Sequence, residues 1–143
     1  VRRVGVWVLV VVGGLAGCGA EPAFRDVAGV LNEDGAALSR LTLAGKRVSA
    51  VEDRAGCPGG SRRGLYTITG DVPAGNASSA VVSALATELH TMGYQEAEGP
   101  GARFGVKVSV MRKDSLDITF TVALRADRPN VEITGQTGCM PAT

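Results

Sequence analysis

The stretch RFGVKVSVMRKDSLDITFTVALRADRPNVEIT, residues 103–134, carries apolar side chains at every second position over most of its length. Phe104, Val106, Val108 and Val110 alternate with Arg103, Gly105, Lys107 and Ser109. Leu116, Ile118, Phe120, Val122 and Leu124 alternate with Asp117, Thr119, Thr121 and Ala123. A period of two sends neighbouring side chains to opposite faces of an extended chain, so both runs read as strands with one buried face. Arg112-Lys113-Asp114-Ser115 is a short polar connection, and Ala126 to Pro129 separates the second run from Val131-Glu132-Ile133-Thr134. The expected unit is a three-stranded antiparallel meander.

Upstream, Tyr66, Ile68 and Val72 alternate with Thr67, Thr69 and Asp71, which predicts a fourth strand from about Leu65 to Val72, stopped by Pro73. Between it and the meander, Val81, Val82, Leu85, Leu89 and Met92 recur at helical spacing, so a helix is expected over about Ala77 to Met92. Asn76 and Ser78 are placed to cap its start, Gly93 suits the left-handed position after its end, and Tyr94 can close over the last turn. From Asp26 to Val51 the apolar residues Val27, Val30, Leu31, Leu38, Leu41, Val48 and Val51 also fall three to four apart, interrupted by Gly29, Gly35 and Gly45. This segment reads as one kinked helix, two short ones with a turn at Asn32 to Gly35, or a partly mobile stretch. Gly56 to Gly64 and Glu98 to Gly101 read as loops. A sheet with one apolar face needs cover, and helices are the apolar stripes available to supply it. The expected fold is α+β: a two-layer sandwich of an about four-stranded, mainly antiparallel sheet with one or two helices on one face.

At 143 residues the chain suffices for one modest core. A formal net charge of +1, 20% charged residues and 4% aromatics offer neither a basic field nor stacking platforms, so nucleic acid is not an expected partner. With 45% hydrophobic residues, wholesale disorder is excluded as well.

The chain opens with a different kind of segment. Arg2 and Arg3 precede an uncharged apolar run from Val4 to Gly17, which reads as the hydrophobic region of a signal peptide and is short of the roughly 20 residues that span a bilayer. It ends in Leu15-Ala16-Gly17-Cys18, which resembles the lipobox of bacterial lipoproteins. That resemblance implies cleavage before Cys18 and a diacylglycerol on its thiol. The expected organisation is a signal peptide over 1–17, a lipidated cysteine and tether over 18–23, and a single domain over 24–143. Two acyl chains hold a protein at a bilayer, because each buried methylene contributes about 0.8 kcal/mol. The residues between Cys18 and Phe24 extend at most about 17 Å, so the domain is expected close to the extracytoplasmic face of the membrane.

With Cys18 assigned to lipid, Cys57 and Cys139 remain, and export into an oxidising compartment makes a disulfide between them the expected state. Catalytic, metal and cofactor chemistry find no support. His90 is the single histidine and lies off the apolar stripe of its helix, which reads as a surface position. Gly59-Gly60-Ser61-Arg62-Arg63-Gly64 has Arg63 where a nucleophile elbow needs glycine. Gly99-Pro100-Gly101 precedes a strand, not a helix, and so fails as a phosphate cradle. No set of transition-metal ligands is present in the sequence.

Two surfaces remain as candidates. Arg40, Lys46, Arg47, Arg54, Arg62 and Arg63 outnumber Glu52 and Asp53 and form a candidate membrane-facing basic segment, attracted to anionic headgroups by about 1 kcal/mol per well-placed charge. The solvent face of the sheet, expected to present Thr67, Thr69, Lys107, Ser109, Asp117, Thr119, Thr121, Glu132 and Thr134, is flat, polar and able to receive a protein.

The order of lipobox cysteine, helical lead-in, Cys57, strand, helix and a meander ending in Thr137-Gly138-Cys139 resembles small secreted lipoproteins of actinobacteria, including those like the mycobacterial LppA group. The tail Met140-Pro141-Ala142-Thr143 lacks a basic residue expected after that cysteine. That resemblance carries over no catalytic residue, and the expected function is that of a noncatalytic, lipid-anchored envelope protein that binds or assists another envelope component. A carrier of a lipid or small hydrophobic ligand, and a hydrolase of the cell envelope, are the alternatives.

Overall fold

The computed structural model describes residues 22–97 and 107–141. Cys18, the leading apolar run, Phe104 and the Glu98–Gly101 loop lie outside the described residues. The fold is α+β. Its elements are α1 (Phe24–Leu38), β1 (Ala44–Asp53), β2 (Ser61–Asp71), α2 (Ser78–Thr91), β3 (Gln95–Ala97), β4 (Lys107–Lys113), β5 (Ile118–Leu124), β6 (Val131–Thr137) and β7 (Met140–Pro141), with a 3-10 turn at Asp114–Leu116. All strand pairs are antiparallel, in the order β1-β2-β6-β5-β4-β3, with β7 against the start of β2. The sheet therefore has seven strands where about four are expected from the sequence.

The additional strands lie where the sequence signal is weakest. Residues 44–53 form β1 and not the second part of a helix. Val48 and Val51, three apart, fall on opposite faces of this strand and both stay exposed, so their helical spacing records no shared stripe. Gly45, with φ of +59°, sits where the β1–β2 register shifts, and the ladder is regular from Arg47↔Thr69 to Asp53↔Arg63. Strand β2 begins at Ser61, so half of the Gly56–Gly64 loop is strand, and Cys57 follows the first strand instead of preceding it. Helix α1 passes through Asn32–Gly35 without a turn, burying Phe24, Val27, Leu31, Gly35 and Leu38 along one stripe.

The helix α2 spans nearly the expected residues and buries Val81, Leu85 and Leu89. Its N-cap is Ala77, with no side-chain cap, so Asn76 and Ser78 do not cap it. Gly93 takes φ of +93°, and the Tyr94 N–H donates to the Leu89 carbonyl at 2.9 Å as its ring closes over the helix end.

Between the helices and the sheet, Ile68, Phe120, Ile133, Val131, Ile118 and Leu31 are fully buried. The parity of β4 is the inverse of that expected. Met111 pairs with Phe120 on the helix-covered face, and Val108 and Val110 stand opposite Ala123 and Thr121 on the other. Lys107 and Ser109 consequently belong to the helix side of the sheet. The cause is the connection: the 3-10 turn and Asp117, left-handed at φ of 52°, join Lys113 to Ile118, so the β5 core face selects Met111 as its partner. Leu116 lies in that turn and extends no strand.

Candidate functional site

The sheet face opposite the helices has no covering layer among the described residues. Register assigns its side chains, because residues directly opposite on antiparallel strands share a face. One row crosses the sheet as Ser49, Thr67, Thr134, Thr121, Val110 and Ala97. A flanking row runs Val51, Leu65, Gln136, Thr119, Arg112 and Gln95. Of the residues expected there, Thr67, Thr69, Thr119, Thr121, Glu132 and Thr134 share this face, while Lys107 and Ser109 do not and Asp117 sits in the turn. Val108, Val110, Leu65 and Ala123 share this face as well. The result is a broad surface with hydroxyls and amides at its centre, flanked by Val51 and Leu65 toward β1 and by Val108, Val110 and Ala97 toward β3.

Charge on this face is organised at one end. Asp53 accepts from Arg63 Nε at 2.9 Å, and Arg112 reaches Asp117 at 2.6 Å and Asp114 at 3.0 Å. The Arg63 hydrogen bond, with that of the Gly56 N–H, holds the Asp53 carboxyl below the usual carboxylate range. Arg63, Arg112, Asp117, Thr119 and Gln136 line a shallow hollow of about 240 Å³ beside Cys139. Each cation there is matched by an acid, which leaves little net field for an ionic ligand.

Cys57 and Cys139 are joined as expected, with Cα atoms 5.6 Å apart. The bond ties the β1–β2 loop to the end of β6, at the same end of the sheet as the start of α1. There Phe24 lies 4.4 Å under the Arg62 guanidinium, which also pairs with Glu52 at 2.9 Å. Helix α1 thus begins at the disulfide-bonded end of the sheet.

The six basic residues do not gather on one surface. Arg62 and Arg63 project to opposite faces of β2 and are neutralised by Glu52 and Asp53. Lys46 turns back to the Ser39 and Leu41 carbonyls at the end of α1. Arg40 lies near that end, Arg54 at the far end of β1, about 30 Å away at strand rise, and Arg47 between them.

A half-buried polar cluster escapes sequence reasoning because its members are remote in the chain. The Tyr94 hydroxyl donates to Asp34 Oδ2 at 2.8 Å, Lys113 Nζ reaches the same oxygen at 3.0 Å, and that ammonium lies 4.6 Å from the Tyr94 ring centre. Burial first, and then the Asp34 carboxylate, push the Tyr94 hydroxyl pKa far above its ordinary value. A phenol so held keeps its proton and stays a donor to Asp34, so the cluster ties α1 and the end of α2 to β4.

No protein-family model, curated protein or solved structure matches this chain. His90 is exposed, and among the described residues no three His, Cys, Asp or Glu side chains converge as metal ligands. None of the described helices is long and apolar enough to cross a membrane. The hollows among the described residues open to solvent. One of about 320 Å³ lies between the ends of α1 and α2, lined by Leu38, Leu41, Leu85 and Glu88.

Proposed function

We propose that this protein is a noncatalytic binding module of the cell envelope, held at the extracytoplasmic membrane face by acyl chains on Cys18, and that its open sheet face receives another envelope protein. The observation that carries the reading is the asymmetry of the sheet: two helices cover one face over its central strands, and the other offers Thr67, Thr134, Thr121, Thr119 and Gln136 side by side with no layer over them among the described residues. An uncovered sheet surface of short polar side chains suits a folded partner better than a small molecule, which binds in concave, largely apolar sites. Matched ion pairs at the disulfide-bonded end favour this over recognition of an anionic ligand. The small-ligand carrier is the runner-up, and among the described residues the hollows open to solvent.

The test is crosslinking in living cells with a tagged full-length chain, compared with Cys18→Ala and with the double variant Thr119→Arg, Thr121→Arg. The reading expects a reproducible partner captured by the anchored chain and lost in both variants. A partner captured equally well by the Thr119→Arg, Thr121→Arg chain, or none above background, refutes the open face. Intact mass from the native membrane reads the lipid on Cys18 independently.

A further inference from the structure

Beside the disulfide the core reaches the surface. A hollow of about 310 Å³, open to solvent, lies between the start of α1, the 3-10 turn and the end of β6, with Pro22, Val27, Leu116, Cys139 and Met140 among its lining. Leu116 and Met140 pack against the buried cluster and are only partly covered, and Pro22 is exposed. The walls are held in place. The Gly138 N–H donates to the Asp117 carbonyl at 3.0 Å, Cys139 is bonded to Cys57, and Met140 pairs with Arg62. Asp114 and Asp117 on the rim share the Arg112 guanidinium, so the hollow presents no free cation to an anionic ligand.

Its position in the chain identifies the occupant. Pro22 is four residues from Cys18, at most about 14 Å of extended chain. The headgroup layer on each side of the hydrocarbon is itself about 5–7 Å deep. A diacylglycerol on Cys18 therefore brings the rim of this hollow to the headgroups. We propose that the hollow is the surface by which the domain seats on the bilayer, with Pro22, Leu116 and Met140 against the headgroup layer, an inference that rests on the acyl anchor proposed above. The other connection at this end, the loop from Arg54 to Gly60, offers Ala55, Pro58 and glycines and no large apolar side chain, so the hollow and not the loop turns toward lipid.

The seat fixes the orientation of the sheet. The hollow lies at the strand ends, where β5 begins at Ile118 and β6 stops at Thr137. The strands then rise from the membrane, and the open face looks along it toward a partner held at the same surface. The β5–β6 turn at Asp127 stands farther out by the length of β5, about 20 Å at strand rise.

The experiment places the fluorophore NBD on single added cysteines of the full-length lipidated chain, reconstituted in phosphatidylcholine vesicles that carry a nitroxide on the headgroup. Three exposed positions are compared: Ser115→Cys on the rim of the hollow, Arg54→Cys at the same end but about 14 Å away across three strand spacings, and Asp127→Cys at the far end. Intact mass reads the dye, the retained disulfide and the lipid on Cys18 in each sample. The expected result is nitroxide quenching at Ser115→Cys at least twofold above Arg54→Cys and well above Asp127→Cys, falling by about half when Leu116→Asp places a charge in the hollow. An unchanged far-UV spectrum shows that Leu116→Asp is folded, and Met140→Gln takes its place if it is not. With the lipid present, quenching at Ser115→Cys no greater than at Arg54→Cys, or unaltered by the folded hollow variant, overturns the seat and leaves the anchor standing. A mass without lipid on Cys18 overturns the anchor, and the seat with it.

Discussion

Alanine at Gly29 and at Gly35, both inside α1, should change stability in opposite directions. At an unconstrained helix position glycine is about 1 kcal/mol less favourable than alanine, because it loses more backbone freedom on folding. A Cβ at Gly29 meets nothing within 4 Å, so Gly29→Ala collects most of that gain. A Cβ at Gly35 would stand 2.5 Å from Tyr66 Cδ1 and 2.6 Å from both Cε1 and Cγ. These ring carbons cannot retreat, since Tyr66 is 6% exposed at the centre of β2. Overpacking of a dense core costs about 1–3 kcal/mol, and three contacts about 1 Å too close belong at the upper end of that range. Subtracting the propensity gain leaves Gly35→Ala destabilised by about 2 kcal/mol. For a domain of this size, about 4 °C of melting temperature accompanies each kcal/mol. Thermal denaturation followed by far-UV circular dichroism should therefore show Gly29→Ala melting about 4 °C above the parent and Gly35→Ala about 8 °C below it. If Gly35→Ala melts at or above the parent, α1 does not rest on Tyr66 at this residue and the packing of the helix layer is wrong.

Two further outcomes follow from the polar cluster and the disulfide. Tyr94→Phe removes the hydrogen bond to Asp34 and should cost about 1–2 kcal/mol in urea denaturation at neutral pH. Because the folded hydroxyl titrates above its unfolded value of about 10, its contribution is complete below that pH and is lost as pH rises beyond it. The gap between parent and Tyr94→Phe stability should accordingly narrow from pH 9 to pH 11, and a constant gap would show that Tyr94 is not coupled to folding in this way. The disulfide closes a sequence separation of 82, which in the chain-entropy view stabilises by about 4–5 kcal/mol. Joint replacement by Cys57→Ser and Cys139→Ser should lower the urea midpoint by an amount equivalent to several kcal/mol, and a shift below about 1 kcal/mol would mean that the bond constrains little of the unfolded chain.

Local pattern decided what needs only neighbouring residues. The alternation Ile118-Thr119-Phe120-Thr121-Val122 defines a strand face, and Val81, Leu85 and Leu89 define a helix stripe, because in each case the signal repeats along one short segment and one buried face enforces it. The pairing of Cys57 with Cys139 was likewise legible, from an even count once Cys18 was set apart. The edge strand was not, since Lys46 to Asp53 buries neither face and so carries no periodicity; only pairing with β2 makes it extended. Nor was the parity of β4. Met111 and Val110 are both apolar, and the choice between them belongs to the 3-10 turn and to Phe120 across the ladder. The open face inherits that choice, which is why Val108 and Val110 lie on it and Lys107 and Ser109 do not. The sequence by itself therefore determined the class of fold, the positions of its most regular elements and its covalent tie. Tertiary structure alone decided which surfaces are left uncovered, because exposure depends on residues distant in the chain that approach each other only when the sheet closes.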